Sequence, residues 1–297
     1  HTRGLESGIT IRTLDLVVDA SSKIDATGRG YLGGCRGALG TRGETLGGLA
    51  GARERSGASY GGLGFNLSGA TNPAYGTPQE PIYLGSGGSC GGGYAGGNGG
   101  GRVDIEATGS VRVDGVIAAD GDSGTGNDSG SGSGGSIWLR AAQLRGSGSI
   151  HANGGAYHVP GGGGRIAVNY VFLGASGDNF AELRNVLARG GHNGTRSASA
   201  GTVLFKQIGQ QCGDLYFDEE LASGTSVRYS PLTHTGFGTI AGVTSDATTT
   251  TITTDGLVEM LPGALVGLQF NPDTSQTTTF PVLANTEDTI TIAQTPL

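Results

Sequence analysis

Lysine is nearly absent: Lys23 and Lys206 stand against sixteen arginines, and the net charge is −7. No basic stripe runs along the chain, so nucleic acid is not an expected partner. No apolar run reaches the ~18 residues that a membrane-spanning helix needs. No stretch of about 12 residues without Gly or Pro carries a 3.6-residue apolar period, so long helices are not expected. The chain has one Trp, and aromatic residues are only 6% of it, which leaves few platforms for stacking on sugars. It opens on His1 with no signal peptide ahead of it, which reads as a mature or trimmed start and fits secretion.

Glycine is what the chain has in excess: 61 of 297 residues, where roughly 7% is ordinary. The glycines follow no strict three-residue period, which excludes collagen. They are clustered, and clean apolar alternations lie between the clusters. Those alternations are able to bury a core, so the expectation is ordered strands joined by Gly-rich loops.

One signature recurs as Ile-x-Ala-x-Gly: Ile24 to Gly28, Ile117 to Gly121 (with Ala at 119) and Ile150 to Gly154, with a weaker copy from Val186 to Gly190. A second signature is an apolar pair two residues apart: Ile9/Ile11, Val103/Ile105, Ile137/Leu139, Ile166/Val168 and Val203/Phe205. Further alternations such as Leu14/Leu16 and Val111/Val113 lie between them. From 103 the spacing is 34, 29 and 37 residues (137, 166, 203). Self-similarity at that spacing points to a solenoid, and period-two alternation makes its units strands with one buried face. The expected fold is therefore all-β: a right-handed parallel β-helix over residues 1–235, with an insertion at about 31–101 that reads as an irregular cap or lateral lobe. From 236 to 297 glycine thins and threonine takes over, and five alternating strands predict a small β-barrel or capping β-module.

Segments 85–101 and 121–135 are almost pure Gly, Ser and Asn, interrupted by Cys90, Tyr94, Ala95, Asp122, Thr125 and Asp128. They read either as mobile loops or as extended polyglycine lying along the flank of the coil. Cys35 and Cys90 sit in separate Gly-rich loops, where a disulfide would tie flexible backbone together. The alternative is three unpaired cysteines. Cys212 is left over, buried or pairing between chains.

Several segments look familiar. Ser56-Gly57-Ala58-Ser59-Tyr60-Gly61-Gly62-Leu63-Gly64, Tyr83-Leu84-Gly85-Ser86-Gly87-Gly88, Gly134-Gly135-Ser136-Ile137-Trp138-Leu139 and Gly161 to Val168 resemble segments of large Gly-rich bacterial surface proteins. Pro262-Gly263-Ala264-Leu265-Val266-Gly267-Leu268, with Asn285-Thr286, is similar to a short β-module that often follows them. The resemblance covers most of the chain. It implies secretion and repetition within a larger surface or matrix protein, and implies no catalytic site.

The candidate chemistry is sparse. Asp120, Asp122, Asn127 and Asp128 put oxygen ligands on a pliable loop, which suits Ca²⁺; the plainer reading is a solvated acidic loop. No other cofactor is expected. Many parallel β-helices cleave polysaccharides, an analogy of fold only. Asp104, Glu106, Asp114, Asp120, Arg102, Arg112, Arg140 and Arg165 are the pieces such an enzyme would use, and Arg102, Arg140 and Arg165 read as a ladder on one face, in the plainer reading a solvated, salt-bridged one. Trp138 points outward by alternation and, with Arg140, offers a carbohydrate-binding platform. His151, His158 and His192 lack metal-ligand spacing. The expected role is a non-catalytic extracellular structural or adhesive module, self-associating or bound to other matrix components. A carbohydrate-active β-helix and a phage or virion fibre component are the alternatives.

Overall fold

In the computed structural model, the described residues are 8–36, 40–174, 180, 185–210, 213–218, 230, 238–255, 260, 263, 265–273, 275–286 and 288–293. The chain is all-β. Among the described residues the only helical element is a three-residue 3-10 turn, Leu46–Gly48. Two compact units divide it, His1–Thr233 and His234–Leu297.

The first unit contains β1 (Ile9–Thr13), β2 (Leu16–Val18), β3 (Lys23–Asp25), β4 (Glu44–Thr45), β5 (Leu49–Ala50), β6 (Arg102–Val113), β7 (Val116–Ala118), β8 (Ser136–Arg145), β9 (Ser149–His151), β10 (Arg165–Leu173), β11 (Val186–Leu187), β12 (Thr202–Gln207) and β13 (Asp214–Tyr216). The long strands pair in the order β1-β6-β8-β10-β12, every pair parallel. The short strands form a second parallel ladder, β3-β7-β9-β11.

Register aligns like with like. Ile9, Val103, Ile137, Ile166 and Val203 form one column, and Ile11, Ile105, Leu139, Val168 and Phe205 form the next. In the second ladder Ile24, Ile117, Ile150 and Val186 are in register. Both ladders turn these side chains into one shared core. A register slip of one residue would send every one of them to the opposite face, so the alternation fixes the pairing. Ile150, fully buried, has apolar partners in the strands on either side. Ile150→Ala is expected to cost about 3 kcal/mol, read from chemical denaturation.

The large sheet is mixed, because β13 pairs antiparallel with β12. In the turn that follows β12, Gly209 has φ +92°, a conformation that side chains resist.

Gly-rich segments fill the flank beside the ladders, and their hydrogen bonds have a period of three. In 130–135, the amides of Gly130 and Ser133 donate to Ser89 and Ser86. Those of Ser131 and Gly134 donate to Val159 and Gly162, and those of Gly132 and Gly135 to Asp122 and Ala119. All six bonds measure 2.7–3.0 Å. Segment 96–101 repeats the pattern: Gly96 and Gly99 donate to Gly34 and Tyr31, Gly97 and Gly100 to Gly130 and Ser133. A β-strand alternates its bonds between two sides, whereas three residues per turn belong to the extended polyproline-II helix, which makes no bonds within itself. Each such segment therefore bonds to neighbours on three sides. These glycines are not needed for a left-handed backbone, since none of those in 130–135 has positive φ. They are needed because a Cβ at Gly132 would collide with the carbonyl of Asn98.

The second unit is one antiparallel sheet of β14 (Ile240–Ser245), β15 (Thr249–Thr254), β16 (Gln269–Phe270), β17 (Phe280–Asn285) and β18 (Thr289–Ala293), in the order β14-β15-β18-β17-β16. Its core is Ile252, Met260, Leu265, Val282, Ile290 and Ile292, flanked by Phe270 and Phe280. Buried Asn285 ties its loop down by accepting from the Leu265 amide at 2.9 Å.

Candidate functional site

The outward face of β6, β8 and β10 gathers the charged residues of interest. Asp104, almost fully buried, is met by Arg140 at 2.8 Å, Arg12 at 3.2 Å and Arg102 at 3.3 Å. Glu106 meets Arg12 and Arg140 at 3.1 and 3.2 Å. Burial pushes the Asp104 pKa up, but the arginines outweigh it and hold the carboxyl below its ordinary value. A carboxylate clamped in this way is a poor proton donor or acceptor near neutrality.

Trp138 lies between buried Ile137 and Leu139 and faces outward. The Arg140 guanidinium sits 3.9 Å above its ring, and the indole N–H donates to Asn169 at 2.9 Å. One ring face and the polar handle are thus already engaged by the protein.

The other expected catalytic pieces are dispersed. Asp114 pairs with Arg112 at 2.6 Å and accepts from the Ser147 amide. Arg165 shares a register column with Arg102, Ser136 and Thr202, yet it is fully buried. Tyrosines of the insertion cover it: its charge lies 5.5 Å from the Tyr60 ring, and its Nε donates to the Tyr75 carbonyl at 2.9 Å. Its Nη1 donates to Thr202 at 3.0 Å. Burial lowers its pKa. The arginines therefore form no exposed ladder, because the insertion lobe folds over one of them.

The four loop residues with oxygen ligands are also separated by their partners. Asp120 lies 2.8 Å from His151 Nδ1 and accepts from the Asn153 amide at 2.6 Å. Asp122 sits against Gly28, where burial raises its pKa. Asp128 pairs with Arg55 at 3.2 Å, and Asn127 is exposed. Among the described residues no group of three or more His, Cys, Asp or Glu is placed to hold a metal ion. His158 and His192 likewise serve separate local contacts, with Asp128 and Ser197.

The Asp120 contact raises the His151 pKa, against an opposing effect of burial. A raised histidine pKa contributes stability that is full below the unfolded value of ~6.5 and is lost as pH rises through the folded value. Urea denaturation from pH 5.5 to 9 should show that loss, and Asp120→Asn should abolish it.

A disulfide joins Cys35 to Cys90, with Cα atoms 5.7 Å apart. Cys212 lies outside the described residues. Among the described residues no helix is long and apolar enough to cross a membrane. Compared with known protein families, curated proteins and solved structures, the chain matches none.

Proposed function

We propose that the chain is a non-catalytic extracellular module, structural or adhesive, whose first unit is a right-handed parallel β-helix stiffened by a polyglycine flank. The observation that carries this reading is the three-residue hydrogen-bond period of segments 96–101 and 130–135. It uses long loop backbone to bind chain to chain and leaves little of it free to reshape around a substrate. The parallel ladders support the coil: each column continues from one strand to the next without interruption. The clamped Asp104 and Glu106 support the absence of catalysis. The disulfide supports an oxidising compartment, and the resemblance to Gly-rich bacterial surface proteins agrees with it.

Such a module works by stacking and by presenting surface. Open ladder edges are templates for another chain, so self-association follows naturally. Electron microscopy and light scattering of the purified chain should find elongated particles that assemble end to end or side by side. Strictly monomeric, compact particles would overturn the proposal. A second reading, a glycan-binding module, is favoured by the exposed tyrosines considered next.

A further inference from the structure

Four turns of the polyglycine flank come together in a row. The first is Gly91 to Tyr94, closed by the Tyr94 amide on the Gly91 carbonyl at 2.9 Å. The second is Gly126 to Ser129, closed at 3.2 Å. The third joins Gly155 to Gly161, and the fourth is Asn193 to Arg196. Side chains link each turn to the next. The Tyr94 ring lies on Gly126. The Asp128 amide donates to His158 Nδ1 at 2.9 Å. The His158 carbonyl accepts from Arg196 at 2.8 Å and from Asn193 at 2.9 Å. Arg55 joins from the insertion through its ion pair with Asp128, and Phe65 lies 5.9 Å beneath Arg196.

The backbone of this row is unusual in one respect. Among the described residues four non-glycine residues have left-handed φ: Cys35 (63°), Glu54 (51°), Arg55 (61°) and Asp128 (68°). Cys35 is held by its disulfide. Arg55 and Asp128 meet at the row, and Glu54 precedes Arg55 in the chain. A left-handed residue with a side chain costs roughly 1–2 kcal/mol, less for an Asp such as Asp128, which visits this region more readily, and at Glu54 and Arg55 glycine would remove that cost. This chain uses glycine at the left-handed positions next to them, Gly92, Gly93 and Gly194. Charged side chains are thus retained where the fold would be better served by none, and strain of this kind concentrates at binding surfaces.

We propose that this row is an adhesive face that binds a surface polysaccharide. The inference rests on the adhesive reading above and gives it a site and a partner class. Tyr94 and Tyr157 are about half exposed, at 48% and 46%, and present ring faces to the C–H face of a sugar. Arg55 and Arg196, fixed by Asp128 and by the His158 carbonyl, each have five guanidinium N–H groups, more than these contacts use, to offer to hydroxyl oxygens. Gly91 to Ala95, Gly124 to Ser129, Gly155 to His158 and His192 to Arg196 contain no Leu, Ile, Val or Met, so the two tyrosine rings are the apolar surface these turns offer, flat platforms set among polar groups. Arg55 and Arg196 are balanced by Glu54 and Asp128, which gives no excess of positive charge for a nucleic acid. A linear sugar polymer matches this alternation of half-exposed rings and polar groups along a row of turns.

The test is affinity electrophoresis of the full chain in gels containing a neutral glucan, a galactomannan or polygalacturonate. At least one should retard the protein. Tyr94→Ala and Tyr157→Ala should each weaken that retardation tenfold or more, and Trp138→Ala should leave it unchanged. Arg55→Gly separates binding from folding. It should melt no lower than the parent, since the left-handed residue is relieved, and still bind at least tenfold more weakly. No retardation by any of the three polymers would overturn the proposal. Retardation that survives the tyrosine changes but is lost with Trp138→Ala would also overturn it. Particle assembly, measured without polysaccharide, reports on the structural reading independently.

Discussion

Gly132→Ala is expected to destabilise the first unit by about 3 kcal/mol, at the upper end of ordinary overpacking costs. Gly132 sits in a segment, 129–135, that is buried throughout, and its added methyl would meet the Asn98 carbonyl and the Gly99 amide nitrogen. Both are backbone atoms already fixed by hydrogen bonds, so neither has a side-chain rotamer that relieves the clash. Gly242→Ala is the control. Its Cβ would find nothing nearer than Thr253 at 3.9 Å, and its φ is not left-handed. That change should be neutral or slightly stabilising, because it reduces the freedom of the unfolded chain. Trp138 is the only Trp and lies in the first unit, so its fluorescence compares Gly132→Ala with the parent, while Gly242→Ala, in the second unit, is read from far-UV circular dichroism during denaturation. Equal stability of Gly132→Ala and the parent would mean that the segments do not pack as described.

Removing the Cys35–Cys90 disulfide, by Cys35→Ser with Cys90→Ser, is expected to cost about 4 kcal/mol. The bridge spans 55 residues, and the entropy of closing a loop of that length gives roughly that figure. The folded state keeps other ties between the same segments. The Gly34 amide donates to Gly88 at 2.8 Å and the Cys90 amide to Thr41 at 2.8 Å. The fold should therefore survive the change with a lower denaturation midpoint and an unchanged Trp138 environment. A loss below 1 kcal/mol would show that the unfolded chain already holds these segments together.

The strands were legible because their side chains carry the signal. Ile137 and Leu139 flank Trp138, and that alternation alone turns the indole outward. Ile24, Ile117 and Ile150 announce their shared column by recurring in one motif. The flank was legible only as an alternative, because glycine has no side chain with which to mark a period. Its three-residue order exists in the backbone hydrogen bonds, and the glycine spacing in GSGSGG does not reproduce it. Arg165 reads as an exposed residue of an arginine ladder. Tyr60 and Tyr75, about a hundred positions earlier, cover it, and no local pattern carries that information. Asp128 reads as one of four calcium ligands, but its partner is Arg55, in the insertion. The row of turns escapes the sequence altogether, since nothing in the letters reveals a left-handed φ at Glu54, Arg55 or Asp128.

The polyglycine flank also bears on how the protein responds to cold. Hydrophobic stabilisation weakens on cooling, and exposure of apolar surface is what gives unfolding its large positive heat capacity. A flank held by peptide–peptide bonds buries little hydrocarbon, and exposing peptide groups lowers the heat capacity rather than raising it. Per residue, the first unit should therefore unfold with a heat-capacity increment below the usual ~12–15 cal/mol/K. Its stability curve should be correspondingly flat, so that chilling weakens it less than it weakens a protein of the same length built around an oily centre.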